Sequence, residues 1–166
     1  MSSPPEVVSF ASSAREFCAT IEAIDDTPAG IELPRALVPL LATLIATASR
    51  LPRVEPTEAT VPTTIDHDAW YACFTRCATA LGPHDIYWTN RDLTDPATQL
   101  TAGSVADDLA DIWRDLRTGL TALDTGSPWQ DVVFDWRLSY LGHWGNHATD
   151  ALRALHSTLH TDLLQP

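Results

Sequence analysis

The segment from Ser127 to about His160 constrains the fold most, because its apolar residues recur with the spacing of a long α-helix. Ser127 can act as the N-cap, Pro128 suits the first helical position, and Gln130 completes a capping box. At about 100° per residue, one wide face collects most of the large apolar side chains. That face contains Val133, Phe134, Tyr140, Leu141, Trp144, Gly145, Ala148, Leu152, Leu155 and Leu159. The pattern predicts one long helix that contacts more than one neighbour, with Gly145 at a close helix crossing.

Four other segments show the same period, most of them with helix-starting residues before them. We predict helices over residues 4–24, 34–50, 66–81 and 105–123. The fold class is therefore all-α, a single-domain bundle of about five main helices over residues 1–166, with its core over about 6–160. The short connection between the fourth and fifth helices makes them antiparallel neighbours. One shared core is expected to contain Leu109, Ile112, Leu116, Leu141, Trp144 and Leu152.

The segment between the third and fourth helices, residues 82–103, lacks a helical period. It includes Ile86, Tyr87 and Trp88, which are too apolar to remain free in solvent. We expect this segment to form an irregular flap that packs these three side chains on the bundle.

Charge limits the partners that this chain can bind. The formal net charge is -12, and all 10 basic residues are arginine. Such an acidic chain is not expected to bind nucleic acid or an anionic membrane surface, and no apolar run of about 20 residues predicts a membrane span. The negative charge would suit a basic protein partner, although the simpler interpretation is a solvated acidic surface. The sequence does not decide whether the protein forms homo-oligomers.

The cysteines and the N-terminus indicate the compartment. Cys18, Cys73 and Cys77 are odd in number and lack a C-x-x-C spacing. The first residues lack the basic and apolar regions of a signal peptide. We therefore expect buried, reduced thiols in a cytoplasmic protein.

Four pieces of the sequence resemble a known family. They read F-A-S-S-A-R-E-F-C-A-T-I-E, R-L-P-R-V-E-P, D-D-L-A-D-I-W-R-D-L-R and Y-L-G-H-W-G-N-H-A-T-D-A-L-R-A-L-H. In this order they resemble the bacterial domain of unknown function family 5063, over roughly Phe10 to His156. The last two pieces are the specific ones. The resemblance implies an all-helical bacterial cytosolic protein and implies no activity, so there are no catalytic residues to carry over.

Two histidines on the last predicted helix form the first candidate site. His143 and His147 lie four residues apart, with Asp150 one turn further on the same side. Histidines at this spacing chelate metals on helices, as in H-E-x-x-H, although the glutamate of that motif is absent here. A divalent transition metal would need a further ligand from another helix, for which His67 and His84 are the histidine candidates. The alternative is a pair of surface histidines without a cofactor.

A second candidate site centres on Arg137, the one basic residue that falls on the apolar face of the last helix. A buried guanidinium needs a partner, because desolvating a lone charge costs several kcal/mol. We expect it to pair with Asp108 or Asp115 on the fourth helix and to stack on an aromatic ring such as Trp136 or Tyr140. The pair would align the two helices, or it would bind an anion or a partner in a cleft between them.

Acidic residues also recur every four positions on the fourth helix, at Asp107, Asp111 and Asp115. Carboxylates at this spacing could hold a metal, but no glutamate or histidine on that helix accompanies them. We expect a solvent-facing acidic side.

The sequence does not specify a reaction. It favours a non-enzymatic interaction or accessory module, and its alternative is a metal-binding bundle or metal-dependent enzyme that uses His143 and His147. It contains no G-x-S-x-G element, phosphate loop or dinucleotide-binding fingerprint.

Overall fold

The computed structural model describes residues 3–57, 61, 65–90, 94–95 and 97–163. Within these ranges the chain forms six α-helices and one two-stranded hairpin. The helices are α1 (Pro5–Glu22), α2 (Glu32–Ala48), α3 (His67–Leu81), α4 (Val105–Asp124), α5 (Trp129–Gly142) and α6 (Trp144–Leu163). The hairpin pairs β1 (Ile86–Thr89) with β2 (Thr101–Ser104). The predicted helical fold is confirmed. Residues 1–2, 58–60, 62–64, 91–93, 96 and 164–166 of the predicted domain and flap lie outside the described residues.

Helix α4 occupies the middle of the bundle and contacts α1, α3, α5 and α6. Its N-terminus is held twice. The Ser104 hydroxyl accepts the Asp107 amide at 3.1 Å, and the Asp85 carboxylate accepts the Ala106 amide at 2.8 Å. These bonds satisfy amides that a helix start leaves without partners. The apolar stripe of α4 is fully buried at Leu109, Ile112, Leu116 and Leu120.

The predicted long last helix is two helices, α5 and α6, separated at His143. The backbone of His143 leaves the helical region, with φ -145° and ψ -91°. Glycines flank the break at positions 142 and 145, and a Cβ at Gly145 would overlap the carbonyl oxygen and ring of Tyr140. Gly145 therefore permits the break and does not mark a helix crossing. Beyond it Trp144 is buried as predicted, whereas Leu141 is 69% exposed, so its place in the predicted core is wrong.

Helices α4 and α5 are antiparallel and in contact, as predicted. Asp115 of α4 is hydrogen-bonded to His143 just after the end of α5, and Gly119 of α4 packs against Trp136 in the middle of α5. A Cβ at position 119 would overlap the Trp136 indole. The indole also packs edge-on against Phe10, with ring centroids 4.9 Å apart. Trp136 is therefore a core residue that joins α1, α4 and α5.

The predicted flap is a regular hairpin in its described part. Alternation along β1 turns Tyr87 inward, where its ring covers Gly103 on β2. The same alternation turns Ile86 and Trp88 outward, so they are 61% and 66% exposed. The expectation that all three side chains pack on the bundle is therefore right for Tyr87 and wrong for Ile86 and Trp88.

Two further expectations concern the thiols and the membrane. Cys18, Cys73 and Cys77 are buried and free, as predicted. Burial raises the pKa of the Cys18 thiol to about 12, which keeps it protonated near neutral pH. Among the described residues, none of the helices combines the length and the apolar character that a membrane crossing requires.

Candidate metal centre

The acidic side of α4 faces α6 and the break at His143, which contradicts the expected solvent-facing side. The Asp108, Asp111 and Asp115 side chains are only 6%, 13% and 18% exposed. Carboxylates in such a setting need hydrogen-bond or charge partners, because burying an unpaired charge is costly. Most of those partners are supplied by the two histidines.

His143 and His147 direct the same ring nitrogen at one carboxylate oxygen. Nε2 of His143 lies 3.7 Å from Asp111 Oδ2, and Nε2 of His147 lies 3.4 Å from the same atom. His143 sits at the helix break and His147 one turn into α6. Their ring centroids are 4.9 Å apart at an interplanar angle of 73°. The three side chains thus surround one point with two nitrogens and one oxygen.

The other ring nitrogen of each histidine is held by a separate aspartate. Nδ1 of His143 lies 2.8 Å from Asp115 Oδ2, and Nδ1 of His147 lies 2.7 Å from Asp108 Oδ1. A carboxylate can only accept, so in the neutral rings Nδ1 carries the proton and Nε2 keeps its lone pair. This is the outer-shell arrangement of metal-bound histidines, in which a carboxylate fixes the tautomer and the ring orientation.

Asp111 is oriented in the same way. Its Oδ1 accepts the Trp70 indole N–H at 2.9 Å and pairs with the Arg114 guanidinium at 2.8 Å. The guanidinium also stacks over the Trp70 ring, 5.9 Å from its centroid. Oδ1 is thereby occupied, and Oδ2 is left for the histidine nitrogens.

Asp108 connects the site to the hairpin. Its Oδ2 accepts the Tyr87 hydroxyl at 2.7 Å, so a chain of hydrogen bonds runs from Tyr87 through Asp108 to His147. Burial and the bond to Asp108 raise the pKa of the Tyr87 phenol. Tyr87 therefore stays protonated and donates to Asp108 at neutral pH.

Hydrogen bonding, burial and neighbouring carboxylates shift the pKa values of three groups in the site. The hydrogen bond to Asp108 raises the pKa of His147, with further contributions from the charges of Asp108, Asp111 and Asp107. Burial raises the pKa of Asp108, and burial together with the Asp111 charge raises the pKa of Asp107. All three shifts favour uptake of positive charge. A proton can supply that charge in the metal-free protein, and a metal cation could replace the proton.

The other residues predicted for a metal site lie outside this group. Asp150 is close enough for its charge to raise the pKa of Asp108, but it is not among the convergent ligand atoms. His67 stacks on Tyr71, and His84 lines a separate pocket beside α6. The residue that converges with the two histidines is therefore an aspartate from α4, Asp111. The four-residue spacing of the acidic residues on α4 contains this aspartate, but the sequence does not show that this side of α4 faces the histidines.

Arg137 does not pair with Asp108 or Asp115, so that prediction is wrong. Its Nη1 donates to the Leu51 carbonyl at 2.8 Å, and the two aspartates belong to the histidines. The extended segment after α2 lies along α5 and supplies this carbonyl. One neighbour of the wide apolar face is thus an extended segment, which helical periodicity does not reveal.

The aromatic residues expected around Arg137 are in different places. Trp136 is buried against Phe10, and Tyr140 packs on Trp144 with ring centroids 4.8 Å apart. The proposed anion or partner site of Arg137, Asp108, Asp115, Trp136 and Tyr140 is therefore not assembled as expected.

Comparisons with known proteins place the chain in a family. Residues 2–161 match the sequence profile of DUF5063, a domain of unknown function. The chain belongs to the DUF5063 family. Its fold is similar to the crystal structure of protein BF1032 from Bacteroides fragilis, with a TM-score of 0.80 and 22% identity over 93% of this chain and 92% of that one. At that identity the likeness establishes the fold alone. No curated protein matches the chain.

The geometry of this DUF5063 protein suits a metal ion. Ligand atoms about 2.0–2.1 Å from a zinc-sized ion lie roughly 3–3.4 Å from one another. The Nε2–Oδ2 separations of 3.4 and 3.7 Å approach those values. Three protein ligands would leave coordination positions open, as in catalytic sites and unlike closed structural ones.

Proposed function

We propose that this DUF5063 protein binds one divalent transition-metal ion through Asp111 Oδ2, His143 Nε2 and His147 Nε2. The observation that carries the proposal is that the two ring nitrogens of each histidine have different partners. Nδ1 is hydrogen-bonded to an aspartate of its own, and Nε2 faces Asp111. Two imidazoles and one carboxylate suit iron(II), manganese(II), cobalt(II) or zinc(II) better than calcium or magnesium. The open positions make the bound ion suited to catalysis, by polarising a substrate or activating water.

The competing explanation is a set of ion pairs that only supports the fold. The balance of charge argues against it. Among the described residues, the partners of Asp107, Asp108, Asp111 and Asp115 with positive or titratable charge are two histidines and the guanidinium of Arg114. Clustering carboxylates in a partly buried site costs stability unless cations offset them. A divalent ion at the point shared by the two Nε2 atoms would supply that offset.

Metal analysis tests the proposal directly. Protein purified without a histidine tag is loaded with zinc, manganese or anaerobic iron(II), desalted, and measured for bound metal. We expect one ion per chain, lost in the H143A/H147A variant. The matched control is H156A/H160A, which removes an equally spaced pair of exposed histidines from α6. Equal metal loss in both variants, or no stoichiometric metal in the wild type, would reject the site.

An interaction role is the second candidate, supported by the outer face of the hairpin. Ile86 and Trp88 expose large apolar surface beside each other on β1, and exposed apolar patches mark binding surfaces. The net charge of -12 suits a basic partner. We expect Trp88→Ser to abolish co-purification of a basic protein while leaving metal binding unchanged. Recovery of the same basic protein with both forms would count against this role.

A further inference from the structure

A cleft between α4 and α5 leads away from the candidate metal centre. Its volume is about 470 Å³, and one end is formed by His143 and Asp115. The walls are mainly apolar, with Val61, Trp136 and Leu138 among them. Leu138 is 62% exposed and does not contribute to the core. The cleft therefore offers apolar surface in direct continuity with a proposed metal ligand.

Asp135 also lines the cleft. Asp135 and His143 lie eight residues apart along α5, which corresponds to about 12 Å at 1.5 Å per residue. An elongated molecule in the cleft would thus have one end near Asp135 and the other near the metal ion.

The charged side chains in the cleft determine which charge a bound molecule should carry. Arg114 is already paired with Asp111, and Asp115 with His143. Among the described residues Asp135 has no hydrogen-bond or ion-pair partner. The Asp135 side chain is exposed, so a charged group from solution can reach it. Partial desolvation and the neighbouring Asp131 carboxylate raise its pKa. Among the described residues of the cleft, the uncompensated charge is therefore negative.

We propose that the cleft is the substrate site of the metal centre and that it takes a small alkylamine. The ammonium group pairs with Asp135, the alkyl chain lies along Leu138, and the far end reaches the open positions of the ion. The inference rests on the proposed metal-binding function for the role of the far end. Recognition of the ammonium group and the chain rests on the cleft alone.

Three probes of matched length test the charge and the apolar requirement: hexylamine, hexanol and hexanoate. Binding is followed by chemical-shift changes in the protein at fixed salt. We expect hexylamine to bind most tightly and hexanoate least. Asp135→Asn should weaken hexylamine about three- to fivefold, the range of a partly exposed ion pair. Asp26→Asn, which removes an equal charge in an exposed loop, should have no effect.

The apolar wall is tested with a second matched pair. Leu138→Ala should weaken hexylamine binding, whereas Leu141→Ala, an equally exposed leucine of α5 outside the cleft, should not. Equal binding of all three probes, or an unchanged affinity in both D135N and L138A, would overturn the cleft as an alkylamine site. A lysine tripeptide that binds more tightly than hexylamine would place the ammonium group on a protein and overturn the small-molecule assignment.

The orientation is tested with manganese(II) in the metal site, because the ion broadens nearby proton signals. We expect stronger broadening at the methyl end of hexylamine than at the methylene beside nitrogen. The reverse order would mean that the amine ligates the metal, contrary to the proposal. The probe series is repeated on wild-type protein treated with a chelator. If the chelator-treated protein still binds hexylamine in a way that depends on Asp135, and the metal analysis finds no bound ion, the amine site is retained and only the proposed metal function is rejected.

Discussion

Replacing the aspartates that hold the histidine rings should weaken metal binding without unfolding the protein. Asp108→Asn and Asp115→Asn keep an oxygen that can accept from Nδ1 but remove the charge. Loss of such an outer-shell carboxylate typically costs about 10–100-fold in metal affinity. The Asp108 side chain is 6% exposed and also accepts from Tyr87, whereas Asp115 is 18% exposed.

We therefore expect about 100-fold weaker binding for D108N, equivalent to about 2.8 kcal/mol, and about tenfold for D115N. Affinity is measured by competition with a chromogenic zinc chelator, with circular dichroism as the check on folding. Asp150→Asn is the matched control, because Asp150 acts on Asp108 through charge and has no bond to either histidine. If D150N costs as much as D108N, general electrostatics and not ring orientation would explain the effect, and the reasoning would be refuted.

Three further predictions test other parts of the structure. Metal affinity should fall as the pH drops through the raised pKa of His147, since only the deprotonated ring binds metal. In metal-free protein, the protonated His147 ring should stabilise the fold. This stabilisation is full below the ordinary histidine pKa of about 6.5 and is lost as the pH rises through the raised pKa of the folded state. A flat pH profile of both quantities would contradict this. Gly119→Ala should destabilise the fold by about 1–3 kcal/mol in urea titrations, because its Cβ overlaps the Trp136 indole; an unchanged midpoint would show that the packing yields. Arg137→Met should lower the free energy of unfolding by about 1–3 kcal/mol, because the Leu51 carbonyl loses its donor, and should leave metal affinity unaltered. A loss of metal binding would instead place Arg137 in the site.

Helix positions could be predicted because local signals agree with the tertiary structure. The α4 segment has an N-cap at Ser104 and an apolar stripe that is buried at Val105, Leu109, Ile112, Leu116 and Leu120. Elements whose form depends on distant contacts could not be predicted as well. The hairpin alternates only over two strands of four residues each, which is too short for a clear period-two signal.

The site was only partly predictable for a related reason. The spacing of His143 and His147 predicted two of the three proposed metal ligands, because residues i and i+4 share a face of a helix. Their partners lie on α4, and which side of α4 meets them depends on the break at His143. Two glycines within L-G-H-W-G are compatible with a continuous helix, so the sequence left that break open. Arg137 was misplaced because an extended segment, and not α4, lies beside it.

A crystal structure of the metal-loaded protein tests the central claim most directly. With zinc, anomalous scattering should locate one ion about 2.0–2.1 Å from Nε2 of both His143 and His147, with Asp111 Oδ2 as the third protein ligand. Asp108 and Asp115 should remain on the Nδ1 atoms. An ion bound through Nδ1, at His156 and His160, or at the acidic residues without either imidazole would contradict the account.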